Sequence, residues 1–189
     1  AFATSITPGP NNLMLLASGA NFGFRRTLPH ILGISVGMAF LLACVLGGLG
    51  ELFRLFPLLQ TLLRIAGAGY LLWLSWKILQ TPPRSLQANA DEAKPMAWWQ
   101  AIIFQFVNPK AWIMAITAVS SFTATGEAYW ASGITLIAVF VLVNLPAISV
   151  WAGFGTLMQQ FLSTATRQIR FNRVMAALTA LTVVMIAQQ

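Results

Sequence analysis

The sequence predicts an all-α integral membrane protein of six transmembrane helices, built as two inverted three-helix repeats, with helices one and four interrupted near the midplane. Three observations predict it. Of 189 residues, 58% are hydrophobic and 8% charged, with a mean hydropathy of +0.75. Soluble domains carry about a quarter charged residues, so the bilayer is the natural solvent. The apolar residues fall in long runs, and a span needs about 20 residues. Two of those runs are broken by proline, at Thr7-Pro8-Gly9-Pro10-Asn11-Asn12 and at Asn108-Pro109-Lys110.

Taken in order, 1–22 is the first span, broken at Pro8 and Pro10. A chain that starts at Ala1 without methionine suggests that the first turns of this helix are missing. Arg25 and Arg26 follow in a short loop, with no small-residue pattern for signal cleavage. Span two, 31–50, is free of charge, and Gly33 and Gly37 form a small-xxx-small packing face. Glu51, Arg54 and Pro57 mark a turn. Span three, 58–78, offers Gly67 and Gly69 for packing, Tyr70 and Trp73 for the core, and Trp76 beside Lys77 as an interfacial anchor. A polar linker at 80–95 separates a first repeat, 1–79, from a second, 96–189. Span four, 96–122, is broken at Asn108 and Pro109. Span five is placed at 129–153 with a kink at Pro146, followed by an interfacial stretch to Phe161. Arg167, Arg170 and Arg173 form the last basic loop before a short sixth span, 174–187.

Loops one, three and five hold Arg25, Arg26, Lys77, Arg84, Lys94, Arg167, Arg170 and Arg173, whereas loops two and four hold only Arg54 and Arg64. The positive-inside rule places the first set in the cytoplasm and both termini outside. Three spans per half invert the second half relative to the first, a plan that secondary transporters combine with interrupted helices. About ten residues, or about 15 Å of helix, separate Asn11 from the end of span one. About fourteen, or about 21 Å, separate Pro95 from Asn108. Both breaks therefore fall near the middle of a layer about 30 Å thick.

Broken backbone survives at that depth only where it is buried in protein or lines a wet cavity. Pro10 and Pro109 each start a half-helix, and Asn108 suits the N-cap. Two helix N-termini plus Lys110 suit a carboxylate. Asn11, Asn12, Asn108 and the carbonyls released by the prolines suit an ammonium. Pro8, Gly9, Pro10, Asn11, Asn12, Asn108, Pro109 and Lys110 are therefore the candidate substrate-binding residues, for a zwitterion such as an amino acid. Asn144 joins them as a residue that either faces the site or caps a kink at Pro146. A lone proline in a membrane helix usually marks only a kink, which suffices for Pro146; two prolines flanking a glycine exceed that. Lys110 lies too far from the headgroups to snorkel, and a charge inside the membrane is functional by default.

Other classes fit less well. The net charge of +7 falls in short clusters rather than a stripe, so no nucleic-acid partner is expected. Cys44 is the only cysteine, which excludes a disulfide within the chain and a paired-thiol redox carrier. It reads as a packing residue. His30, also alone, reads as an interfacial residue in the first basic loop. With no buried Asp pair, Ser/His set or metal-ligand cluster, neither an enzyme nor a metal or cofactor is expected. A scaffold subunit would leave Lys110 without a purpose. The alternative to a secondary transporter is a passive channel for small zwitterions or anions. A homo-oligomer is compatible with either.

The chain resembles the LysE/RhtB family of amino-acid exporters. The stretches that carry the resemblance are Ile6-Thr7-Pro8-Gly9-Pro10-Asn11, the Gly33/Gly37 pair, Gly67-Ala68-Gly69-Tyr70-Leu71 through Trp76-Lys77, and Phe106-Val107-Asn108-Pro109-Lys110-Ala111. It covers nearly the whole chain; the first and last stretches are specific and the glycine pairs are not. The resemblance implies a multi-pass protein of the bacterial inner membrane. It would export amino acids or close derivatives such as homoserine, threonine, cysteine or leucine, driven by the proton-motive force. Some relatives carry an acid just after the second glycine of span two, where this chain has Met38. With no carboxylate inside any span, either Lys110 or an end-of-span acid such as Glu51 carries the proton, or the mechanism is uniport.

Overall fold

The computed structural model describes residues 5–83 and 94–187. Most of the expected linker, including Arg84, and the chain ends lie outside them. The helices are α1 (Pro10–Phe22), α2 (Phe24–Cys44), α3 (Gly50–Leu55), α4 (Pro57–Gln80), α5 (Trp98–Val107), α6 (Pro109–Phe122), α7 (Tyr129–Met158) and α8 (Ala165–Ala187). Among the described residues there is no strand. Phe24–Leu49, Thr61–Gln80 and Gly126–Phe161 are each long and apolar enough to cross a membrane, and α5 with α6, bent by 73°, form a fourth such unit.

The most extensive helix pairings join the two halves of the chain: α1 with α7, α2 with α5, and α4 with α8. Small residues allow the first two. A methyl group on Gly19 would strike the Ala152 carbonyl, and one on Gly155 the Leu16 carbonyl. On α2, Gly33 abuts the Trp98 carbonyl and Gly37 the backbone of Ile102. Apolar residues in lipid gain nothing by leaving it, so close backbone approach is what holds membrane helices together. The outside matches: Phe40, Leu62, Ile65, Leu142 and Val150 are among the large apolar side chains left exposed. Inside, Leu15, Ile31, Ile34, Ala101, Ile148 and Ala152 make a core where α1, α2, α5 and α7 meet.

Polar side chains draw one end of the molecule together. Asn172 on α8 accepts from Asn21 Nδ2 at 2.9 Å and donates to the Thr81 carbonyl at 3.2 Å. Gln159 Nε2 donates to the Gly19 carbonyl at 2.8 Å. The end of α1, the end of α4, the end of α7 and the start of α8 therefore share one end, which carries Arg25, Arg26, Lys77, Arg167, Arg170 and Arg173.

Both expected interruptions are present. Ser5 and Ile6 are helical, the backbone unwinds through Thr7–Gly9, and α1 starts at Pro10. Asn108 is extended (φ −94°, ψ 106°) between α5 and α6, as a residue before proline prefers. Other boundaries differ from the sequence reading. The first basic loop is a single residue, Gly23, whose φ of 82° suits only glycine well. Arg25 and Arg26 are exposed on the first turn of α2, and His30 is a buried helical residue (1% exposed) rather than an interfacial loop residue. Long basic side chains can ride a helix end, so their charges did not mark a loop. The same holds for Arg167, Arg170 and Arg173, all on α8. Span two ends at Gly48 (φ 97°), ahead of the expected turn. Helix α7, the expected fifth span, runs through Pro146 to Met158 without the expected stop. Gly67 packs against the Val107 carbonyl, but Gly69 meets nothing. Trp73 is exposed rather than core.

Candidate functional site

Unwinding a helix frees carbonyls, and buried carbonyls need donors. At the first break, four consecutive carbonyls find them, from the buried Ser5 through Ile6 to the more exposed Thr7 and Pro8. Asn12 Nδ2 donates to Ser5 O at 2.7 Å and Thr7 O at 2.8 Å. Trp151 Nε1, from α7, donates to Ile6 O at 3.0 Å. Lys110 Nζ, from α6, donates to Thr7 O at 2.9 Å and Pro8 O at 3.4 Å. The second break is served in a parallel way. Trp112 Nε1 donates to Phe106 O at 2.8 Å, and the Lys110 backbone N–H to Asn108 Oδ1 at 3.2 Å. An indole closes each break, and Lys110 bridges the two across 103 positions of sequence.

The two half-helices thus meet at one cavity. Seven of the predicted residues line it: Gly9, Pro10, Asn11, Asn12, Asn108, Lys110 and Asn144. Pro8 contributes its carbonyl to Lys110, and Pro109 begins α6 without lining the cavity. Asn144, left open between site and kink by the sequence, is buried and faces the cavity. The free volume is about 30 Å³, room for about one water. Gly9 explains the tight fit: a Cβ there would lie 3.0 Å from both Cδ and Nζ of Lys110. The α1 N-terminus has no side-chain cap, whereas Asn108 caps α6. Positive potential therefore gathers at the α1 end and at Lys110.

Sequence reasoning missed several contributors. Gln105 is 1% exposed, accepts from Asn11 Nδ2 at 2.9 Å and donates to Ala101 O at 2.9 Å. Its signal was available: a glutamine inside an apolar run, three residues before the break. Ser5 and Met114 also line the cavity, as does Met38. Among the described residues, no carboxylate lines it.

Asn12 is the donor on which the first break depends. Asn12→Ala should destabilise the protein by about 1–3 kcal/mol, the cost of leaving the buried Ser5 carbonyl without its donor, while the Thr7 carbonyl keeps Lys110 Nζ. Asn11→Ala, which removes only a side-chain pair with Gln105, should cost less. Thermal melts of the two variants in detergent check the order; equal melting temperatures would contradict it.

The family model described as LysE type translocator matches residues 2–189. The cysteine/O-acetylserine efflux proteins of Escherichia coli K12, Shigella sonnei Ss046 and Shigella flexneri are each 32% identical to this chain over 177 residues, covering 93% of it and 87% of their own length. No solved structure matches significantly. With the family model matching residues 2–189 and relatives covering 93% of the chain, the chain belongs to the LysE type translocator family and is a multi-pass membrane protein.

Proposed function

We infer that the protein exports amino acids or close derivatives, cysteine or O-acetylserine among them, from the bacterial cytoplasm across the inner membrane by alternating access. It acts as a transporter rather than an enzyme. The observation that carries this reading is the Lys110 ammonium held 2.9 Å from the Thr7 carbonyl. The carbonyls of the broken helix already hold an ammonium, and it belongs to the protein. A substrate carboxylate takes Lys110 off the carbonyls, and the substrate's own ammonium takes its place on them. Each charge that leaves one partner finds another of the same kind, so the exchange leaves no buried charge unpaired. The candidate binding set is the predicted one, Pro8 to Asn12, Asn108 to Lys110, and Asn144, with Gln105 added.

The architecture supports six spans in two inverted repeats, 1–79 and 96–189. Exchanging the halves turns the α1–α7 pairing into the pairing of the broken α5–α6 unit with α2, and returns α4–α8 onto itself. The clustering of basic residues at one molecular end supports a cytoplasmic position for that end. For proton coupling, Lys110 is the candidate carrier, alternating between a carboxylate-bound ammonium and a neutral amine, since Met38 occupies the place of the acid and no carboxylate among the described residues lines the cavity.

Counterflow in liposomes tests the reading. Vesicles loaded with unlabelled O-acetylserine should take up labelled O-acetylserine at least about tenfold faster than empty ones. Cysteamine, which lacks the carboxylate, and 3-mercaptopropionate, which lacks the amine, should not substitute for cysteine as internal substrate. Uptake indifferent to internal substrate would point to a channel instead.

A further inference from the structure

A larger cavity lies at the basic end of the molecule. Its volume is about 330 Å³, within the range of about 300–1,000 Å³ usual for small-molecule sites, whereas the central cavity holds about one water. Its walls come from α1, α2, α4 and α5. Among its described lining residues are the cations Lys77 and Lys94 and no carboxylate. Lys77 Nζ sits 4.4 Å above the Trp73 ring, a cation–π contact that fixes its position without neutralising it. His30 is part of the wall, 1% exposed, with neither ring nitrogen hydrogen-bonded. A buried imidazole without a partner is costly.

The two cavities are neighbours. Asn12 lines the central one and Met14 the larger one, both on α1. On α5, Gln105 and Gln100 divide in the same way, about 7.5 Å apart along the helix. An apolar cluster of Met14, Leu71, Leu74 and Phe104 adjoins the larger cavity, which Met14 and Leu74 help to line.

We propose that the larger cavity is a second binding site, an antechamber that captures the carboxylate of a small amino acid from the basic end before it passes to the central cavity. Lys77 and Lys94 supply the field, and His30 donates its unused N–H to the carboxylate. The inference rests on the export reading and adds a separate site to it.

Equilibrium binding of radiolabelled O-acetylserine to the full chain in detergent provides the test. Wild type should bind two moles per chain. Lys77→Gln and His30→Leu should each lose one, Lys110→Ala should lose the other, and Lys77→Gln with Lys110→Ala should bind none. His30→Leu should melt at or above the wild-type temperature, because leucine removes two unpaired nitrogens, so its lost binding would not be misfolding. Lys77 is exposed, so Lys77→Gln gives an independent reading in a variant expected to fold. A single mole that Lys77→Gln removes and Lys110→Ala spares also supports the antechamber. A single mole that Lys110→Ala removes and Lys77→Gln spares overturns it and leaves export standing. Displacement of the second mole by phosphatidylglycerol would assign the cavity to a lipid headgroup and also overturn it. Absence of both binding and counterflow by wild type would sink the export reading and the antechamber with it.

Discussion

Lys110→Ala should lower export by at least about thirtyfold while leaving a folded protein. Removing one partner of a buried charge pair costs about 2–5 kcal/mol, and each 1.4 kcal/mol is a factor of ten. The fold should survive because two opposing effects act on it. The Thr7 and Pro8 carbonyls lose their ammonium donor, which is unfavourable. The half-buried ammonium no longer has to be partly desolvated, which is favourable. Thr7 keeps its hydrogen bond from Asn12, so only Pro8 loses the donor described for it. Lys110→Gln separates charge from latch. An amide still donates to the carbonyls but cannot pair with a carboxylate as a cation, so this variant should melt near wild type and transport no better than alanine. Lys110→Arg keeps the charge but cannot deprotonate. If Lys110 carries the coupling proton, the arginine variant should still bind O-acetylserine yet lose any stimulation by a pH gradient. Initial rates in proteoliposomes, with and without an imposed gradient, check all three. Wild-type export by Lys110→Gln would remove Lys110 from the mechanism.

The two helix breaks and their meeting were legible because proline is a local signal. It removes a donor wherever it sits, and in lipid that loss must be made good nearby. What repairs the loss was not legible. Trp151 serves the Ile6 carbonyl from 145 positions away, a spacing that leaves no trace in periodicity. Charge proved a poor guide to helix ends. Arg25, Arg26, Arg167, Arg170 and Arg173 suggested loops, yet all lie on helices, since their stems reach water from within the first turns. His30 was misplaced for the same reason, being taken with its basic neighbours when its helix face turns it inward. Glycines told the truth only in part: Gly67 and Gly69 look alike in sequence, but two residues on a helix point about 200° apart, and only Gly67 meets a neighbour.

That selectivity sets up the second large effect. Gly155→Ala and Gly19→Ala should each destabilise the protein by about 3 kcal/mol, the upper range for forced overpacking. In each case the added methyl would strike a carbonyl of the facing helix, and a backbone cannot rotate away as a side chain can. The helices α1 and α7 must instead separate, losing dispersion contacts along their whole length, and in lipid no hydrophobic gain compensates. Gly153→Ala is the control. It lies on the same helix, two residues from Gly155, with nothing within 4 Å of a Cβ, and should gain up to about 1 kcal/mol from helix propensity. The double variant Gly19→Ala/Gly155→Ala should cost less than twice either single change, because helices already parted for one methyl have made room for the other. Export should fall with the fraction folded, since the same contact holds Pro10 and Asn12 of α1 beside Asn144 of α7 around the central cavity. Melting temperatures and monodisperse yield decide it: a Gly155→Ala protein as stable as Gly153→Ala would mean that the close approach of α1 and α7 is not what holds the first break in place.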